Sequence, residues 1–79
     1  MKISVEISYY PLKEEFKPQI IDFLKRINTY QQLTAQTNGM STQIFGEYQY
    51  VMDALTNEIE KSFSQPHSVF VMKIINADL

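Results

Sequence analysis

Leu33-Thr34-Ala35-Gln36-Thr37-Asn38-Gly39-Met40-Ser41-Thr42-Gln43-Ile44-Phe45-Gly46 reads as two short strands joined by a tight turn. Asn38-Gly39 is the preferred pair for a two-residue hairpin loop, because both positions then take positive φ. Met40 to Phe45 is the returning strand, carrying β-branched Thr42 and Ile44, and Gly46 punctuates its end. A hairpin at this point places two antiparallel strands in the middle of the chain.

Upstream, Ile3, Val5 and Ile7 alternate with Ser4, Glu6 and Ser8, the period of a strand buried on one face. This strand runs from Lys2 to Tyr10 and is closed by Pro11, which lacks a backbone donor. Pro18 is tolerated only in a first helical turn, so a helix starts near it and carries Ile20, Phe23, Leu24 and Ile27 on one stripe to about Asn28. Downstream of Gly46, Tyr48, Val51, Met52, Leu55, Ile59 and Phe63 recur at three and four residues and mark a longer amphipathic helix, stopped by Pro66. Val69-Phe70-Val71-Met72-Lys73-Ile74-Ile75 is the last strand, apolar on both sides but for Lys73, the pattern of a strand covered on both faces.

The order is strand, helix, strand, strand, helix, strand, with no linker or composition shift to divide it. Residues 1–79 therefore make one α+β unit, a ferredoxin-like βαββαβ domain whose antiparallel sheet has the order 4-1-3-2 and carries both helices on one face. With Ile3, Val5 and Ile7 turned to the helices, the other face receives Ser4, Glu6 and Ser8, joined by Val69, Val71, Lys73 and Ile75. A half-apolar sheet surface of that kind marks an interface. A chain of 79 residues also has a thin stability margin of its own, so a homo-oligomer, dimer or tetramer, formed through this face is expected.

Composition removes several function classes. Seven Lys and Arg against nine Asp and Glu give a net charge of −2, which lacks the footprint of a nucleic-acid binder. The absence of cysteine excludes disulfides, thiolate metal sites and a cysteine nucleophile. No apolar run approaches the roughly 18–20 residues that span a bilayer, and the alternating N-terminus is not that of a signal peptide. A cytoplasmic protein that binds neither membrane nor nucleic acid is expected.

Sites must then be sought residue by residue, because this fold hosts many functions. His67 beside Pro66 has no partner at ligand spacing and reads as a turn residue. Asp53, Glu58 and Glu60 read as the solvated face of the second helix. The glycines form no phosphate-cradling motif. An RNA-recognition domain would need aromatic residues where the central strands carry Ser4, Glu6, Ser8, Ser41 and Gln43. A heavy-metal domain would need cysteines, and an acylphosphatase would need an arginine in the loop that reads Pro11-Leu12-Lys13-Glu14-Glu15. What stands out is the neutral hydrogen-bonding set around the hairpin, Thr37, Asn38, Ser41, Thr42 and Gln43, which suits either a small polar ligand or a plain strand surface. Glu6, at the centre of the open face, needs a cation or donors once that face is covered: either Lys73 across the neighbouring strand or a cationic or amino-bearing ligand.

Three blocks, Ile7-Ser8-Tyr9-Tyr10-Pro11-Leu12, Thr37 through Gly46, and Val69-Phe70-Val71-Met72-Lys73-Ile74, resemble the thiamine-binding, YkoF-like family of bacterial proteins, in the family's order and across almost the whole chain. The resemblance implies a βαββαβ domain that assembles into dimers or larger oligomers and binds thiamine or its hydroxymethylpyrimidine part in thiamine uptake or salvage. Ser41 and Thr42 match the family motif. The expected function is non-enzymatic small-molecule binding without a cofactor or metal, with Ser41, Thr42, Glu6, Asn38 and Gln43 as candidate ligand-binding residues. The runner-up is a ferredoxin-like regulatory or interaction module that binds another small metabolite. An enzyme ranks third, because no nucleophile, base and orienting group assemble from these residues.

Overall fold

The alternation in the first ten residues produces the longest strand. In the computed structural model, which describes Met1–Leu79, the elements are β1 (Lys2–Pro11), α1 (Lys17–Ile27), β2 (Thr34–Thr37), β3 (Thr42–Glu47), α2 (Tyr48–Ser62) and β4 (Ser68–Ile75). The sheet has the order β2-β3-β1-β4, antiparallel throughout, as the sequence predicts for a ferredoxin-like fold. Ile3, Val5, Ile7 and Tyr9 of β1 enter the core against Ile44, Phe23, Ile27, Val51 and Leu55. Phe70 of β4 completes it by stacking on Tyr9 with ring centroids 4.3 Å apart.

Local chemistry explains the boundaries. Pro11 is accepted as the last residue of β1 because odd-numbered residues of this strand face β3, which pairs with β1 only as far as Ile7↔Thr42. Pro18 sits in the first turn of α1, where its missing N–H has no helical partner to lose, and Lys25 and Arg26 complement the negative end of the helix. Gly46 joins β3 to α2 under a close approach. A Cβ there would stand 3.1 Å from a Leu33 side-chain carbon and 3.2 Å from the Gln32 carbonyl oxygen.

The hairpin departs from expectation. No residue in the chain has positive φ, and β3 begins at Thr42 rather than Met40. The register pairs Thr37 with Thr42, and the Asn38 N–H donates to the Ser41 carbonyl. Asn38 turns the chain with its side chain instead: Oδ1 accepts from the Met40 and Ser41 amides at 2.8 and 3.2 Å. That local bond does the work assigned to a left-handed backbone.

β4 is the second departure. It is an edge strand, and beyond Phe70 its helix-side residues Met72 and Ile74 are 40% and 47% exposed rather than covered. On the other face, Val69, Val71, Lys73 and Ile75 stand beside Tyr10, Ser8, Glu6 and Ser4, as the alternation requires. Part of that face is closed by the chain itself, because Ser4 Oγ donates to the Ala77 carbonyl at 2.6 Å and accepts the Leu79 N–H. Ser4 is accordingly buried.

The third departure is Glu58. It lies between the helices, 2% exposed, rather than on a solvated face. Its carboxylate accepts from Arg26 Nε at 2.6 Å and from the Tyr30 hydroxyl at 2.6 Å. Arg26 also donates to the Glu58 carbonyl, to Ser62 Oγ and to Asp22. Burial alone would push the Glu58 carboxyl up, but the donors from Tyr30 and Arg26, with the Lys61 charge, outweigh it and hold the carboxyl below its ordinary range. The same hydrogen bond raises the Tyr30 hydroxyl.

Candidate functional site

Three segments end together at one end of the sheet: β1 running out through Tyr10 and Leu12, the β2–β3 hairpin, and the start of α1. Between them lies a half-open groove of about 440 Å³, within the size range of small-ligand sites. Ile7, Tyr9 and Phe23 belong to both groove and core, while Leu12, Phe16 and Leu24 form apolar walls. Thr37, Asn38, Ser41 and Thr42 supply the polar rim. No charged side chain lines the groove.

The rim is organised by the strand period. Thr42 points to the helix side and is buried, and its hydroxyl bonds that of Thr37 at 2.9 Å. One hydroxyl donates in that pair, so one proton and several lone pairs remain for a ligand. Asn38 commits its oxygen to the turn and keeps its NH2 group for the groove.

Ser41, the next residue along, faces the other way. Its hydroxyl donates to Glu6 Oε2 at 2.9 Å and accepts from Gln43 Nε2 at 2.9 Å. Lys73 Nζ stands 3.4 Å from Glu6 Oε1, across the register pair Glu6↔Lys73. The Ser41 hydrogen bond, then the Lys73 hydrogen bond and charge, hold the Glu6 carboxyl below its ordinary range.

Of the five candidates, Asn38, Ser41 and Thr42 line the groove, whereas Glu6 and Gln43 lie on the open sheet face. Ser41 belongs to both sets. The sequence reading missed the apolar walls, assigning Ile20, Phe23 and Leu24 wholly to the core. Leu12 and Phe16 carried a usable signal: they are large apolar residues in a polar connection, and they are 61% and 44% exposed.

Neither a protein-family model nor a curated protein matches the sequence. Solved structures do match the fold. A protein of Thermotoga maritima named provisionally for thiamine biosynthesis/salvage superimposes with a TM-score of 0.86 at 18% identity, covering 98% of this chain and 85% of its own. A hypothetical protein of Methanocaldococcus jannascii gives 0.83 at 20% identity, covering 98% and 81%. A Streptococcus pneumoniae protein gives 0.76 at 20% identity, covering 100% and 90%. This chain shares their fold.

Proposed function

We propose that the chain is a non-enzymatic binding protein for thiamine or its hydroxymethylpyrimidine part, working in thiamine uptake or salvage in the cytoplasm. The observation that carries this reading is the uncharged groove with apolar walls and a hydroxyl–amide rim. A flat heteroaromatic ring needs apolar contact on its faces and hydrogen-bond partners at its edge, and this arrangement supplies both. The name of the Thermotoga maritima neighbour supports the ligand class. Binding without chemistry fits the rim, where the threonine hydroxyls bond each other and the Ser41 hydroxyl donates to Glu6, which also pairs with Lys73.

The chain acts in this reading as a homo-oligomer through the open sheet face, where Val69, Val71 and Ile75 are 40%, 57% and 46% exposed. No helix is long and apolar enough to cross a membrane. Calorimetry with thiamine, hydroxymethylpyrimidine and an amino-acid control tests the ligand. Binding of either of the first two is expected, with Thr42→Val weakening it by about 0.5–1.5 kcal/mol and Ser41→Ala having an unequal effect. Heat from the amino acid alone would transfer the protein to the regulatory class.

A further inference from the structure

Tyr9 lines the groove and also a second cavity, of about 190 Å³, between α1 and the end of α2. Gln19, Asp22 and Arg26 recur at three and four residues on α1 and therefore share one face, with Lys61 and Ser62 supplied by α2. Tyr9 is the one apolar residue in this lining, which reverses the character of the groove. The volume lies below the roughly 300–1,000 Å³ of drug-sized sites, so an occupant has to be compact.

The hydrogen-bonding groups around this cavity are not used up by the protein. Gln19 Oε1 is buried without a partner, and it is the one side-chain atom of the chain in that position. Arg26 has five N–H groups and commits four: Nε to the Glu58 carboxylate, two on Nη2 to the Glu58 carbonyl and Ser62 Oγ, and one on Nη1 to Asp22. The fifth, on Nη1, is free. Ser62 Oγ is buried and accepts from Arg26, which leaves its own proton to donate. Ser68 Oγ gives its single proton to the Gln65 carbonyl at 2.6 Å, so the Tyr9 hydroxyl donates to Ser68 and keeps its lone pairs. Spare donors thus gather at the Arg26 end, and a spare acceptor stands at the Gln19 end.

We propose that this cavity binds a small zwitterion, an α-amino acid with a short side chain, its carboxylate on Arg26, Ser62 and Lys61 and its ammonium on Gln19 Oε1 and Asp22. The site stands apart from the groove and does not depend on the groove's ligand. Charge selects the class. Arg26 and Lys61 are cancelled by Asp22 and by Glu58, which pairs with both cations. A simple anion gains nothing from such a neutral set and meets Asp22, while a simple cation meets Arg26 and Lys61. A molecule that carries both charges is attracted at both ends. Asp22 and Lys61 are well exposed, so each side chain can turn to a ligand at the mouth, whereas Ser62 and Gln19 Oε1 are held inside. With Tyr9 as the only apolar surface, the cavity has little to hold a large hydrophobic side chain, which leaves glycine, alanine and serine as the fitting size.

Chemical-shift mapping of the full chain, with glycine, L-serine and inorganic phosphate as probes and calorimetry for affinity, tests the site. Glycine and serine should move the backbone amides of Gln19, Arg26 and Ser62 and the Gln19 side-chain amide, and leave Asn38, Ser41 and Thr42 in place. Phosphate should not bind. Gln19→Leu should weaken glycine binding about tenfold or more. It should also raise the Tm of the unliganded protein, because it removes a buried group without a partner. Gln19→Glu, which presents an acceptor whichever way its carboxyl turns, should keep the binding. Lys61→Met, on an exposed side chain, should weaken it severalfold and is the arm to read if the leucine variant fails to fold. Phosphate binding without amino-acid binding would overturn the zwitterion. No binding of any probe at millimolar concentration would leave the cavity to water and overturn the site, as would full affinity in both Gln19→Leu and Lys61→Met. Amino-acid shifts confined to the groove residues would overturn it as well. Thiamine is read at those same groove residues, so its failure to bind there leaves this site standing.

Discussion

Arg26→Met isolates the contact that fixes α1, and with it one wall of the groove. The substitution keeps an unbranched apolar stem and removes the guanidinium cation. Glu58 would then keep Tyr30 at 2.6 Å and Lys61 at 3.5 Å, but its carboxylate would be 3% exposed with its principal partner gone. The Arg26–Asp22 pair adds little, because Asp22 is 67% exposed and such pairs contribute about 0.3–0.5 kcal/mol. Breaking a buried pair on one side costs about 3–5 kcal/mol. A chain of 79 residues has a total stability on the order of 4–12 kcal/mol, so the loss is a large share of it and lowers Tm by at least about 12 °C. The pH dependence follows from the sign of the shift. The folded-state pKa of Glu58 is depressed, so its contribution is present above the unfolded carboxylate pKa and is lost as pH falls through the folded value. Without Arg26 the burial effect is opposed less, the pKa rises, and protonation relieves the variant. Urea denaturation of both proteins at about pH 7 and about pH 3 should therefore show a gap that narrows in acid. Replacing both partners, Arg26→Met with Glu58→Leu, should recover most of the loss. A gap below about 1 kcal/mol at neutral pH, or one independent of pH, would refute the reasoning, since an uncompensated buried charge requires both effects.

Two glycines make opposite predictions. Gly46→Ala should destabilise by about 1–3 kcal/mol, because the new methyl meets Leu33, the Gln32 carbonyl and Val51, all within 3.3 Å, and backbone has to move; thermal melting followed by circular dichroism reads it. Gly39→Ala should be neutral or stabilise by about 0.4–1 kcal/mol, since its φ is not positive and nothing lies within 4 Å of the added carbon. A clear loss in that variant would mean that the turn in solution is the left-handed one expected from Asn-Gly.

The strand order and the face assignment were legible because one period carries them. Ile3, Val5 and Ile7 set the buried face of β1, and every neighbour follows through the register. The turn was less legible. Asn-Gly favours positive φ, but asparagine has a second way to turn a chain, and a preference over two residues cannot decide between backbone and side chain. Glu58 was hidden for a different reason. It sits four residues from Ala54 and Ser62 on the face of α2 toward α1, and a carboxylate on a helix reads as solvated until its partner, 32 residues away, is known. Arg26, Tyr30 and Glu58 have no spacing that announces them, because three-dimensional proximity between two helices leaves no local pattern. The groove was half visible for the same reason: its hairpin rim is contiguous in sequence, while its walls come from the loop before α1 and from the helix itself.

The block Thr37 through Gly46 serves two surfaces at once, and strand geometry is the cause. Thr42 turns inward to the groove and the helix side, while Ser41 and Gln43 turn outward to Glu6. Residues that look like a single polar cluster in the sequence are therefore divided between a site with no charge and a face with an ion pair at its centre. Glu6 does not reach the groove directly; it meets the rim through the Ser41 hydroxyl, which also anchors Gln43. The Lys73 partner belongs to β4, the strand whose edge and outer face are left open. A hydrogen bond and an ion pair thus link Ser41 through Glu6 to Lys73 of β4, so the surface that would hold a ligand and the surface that would meet another copy share one residue, Ser41.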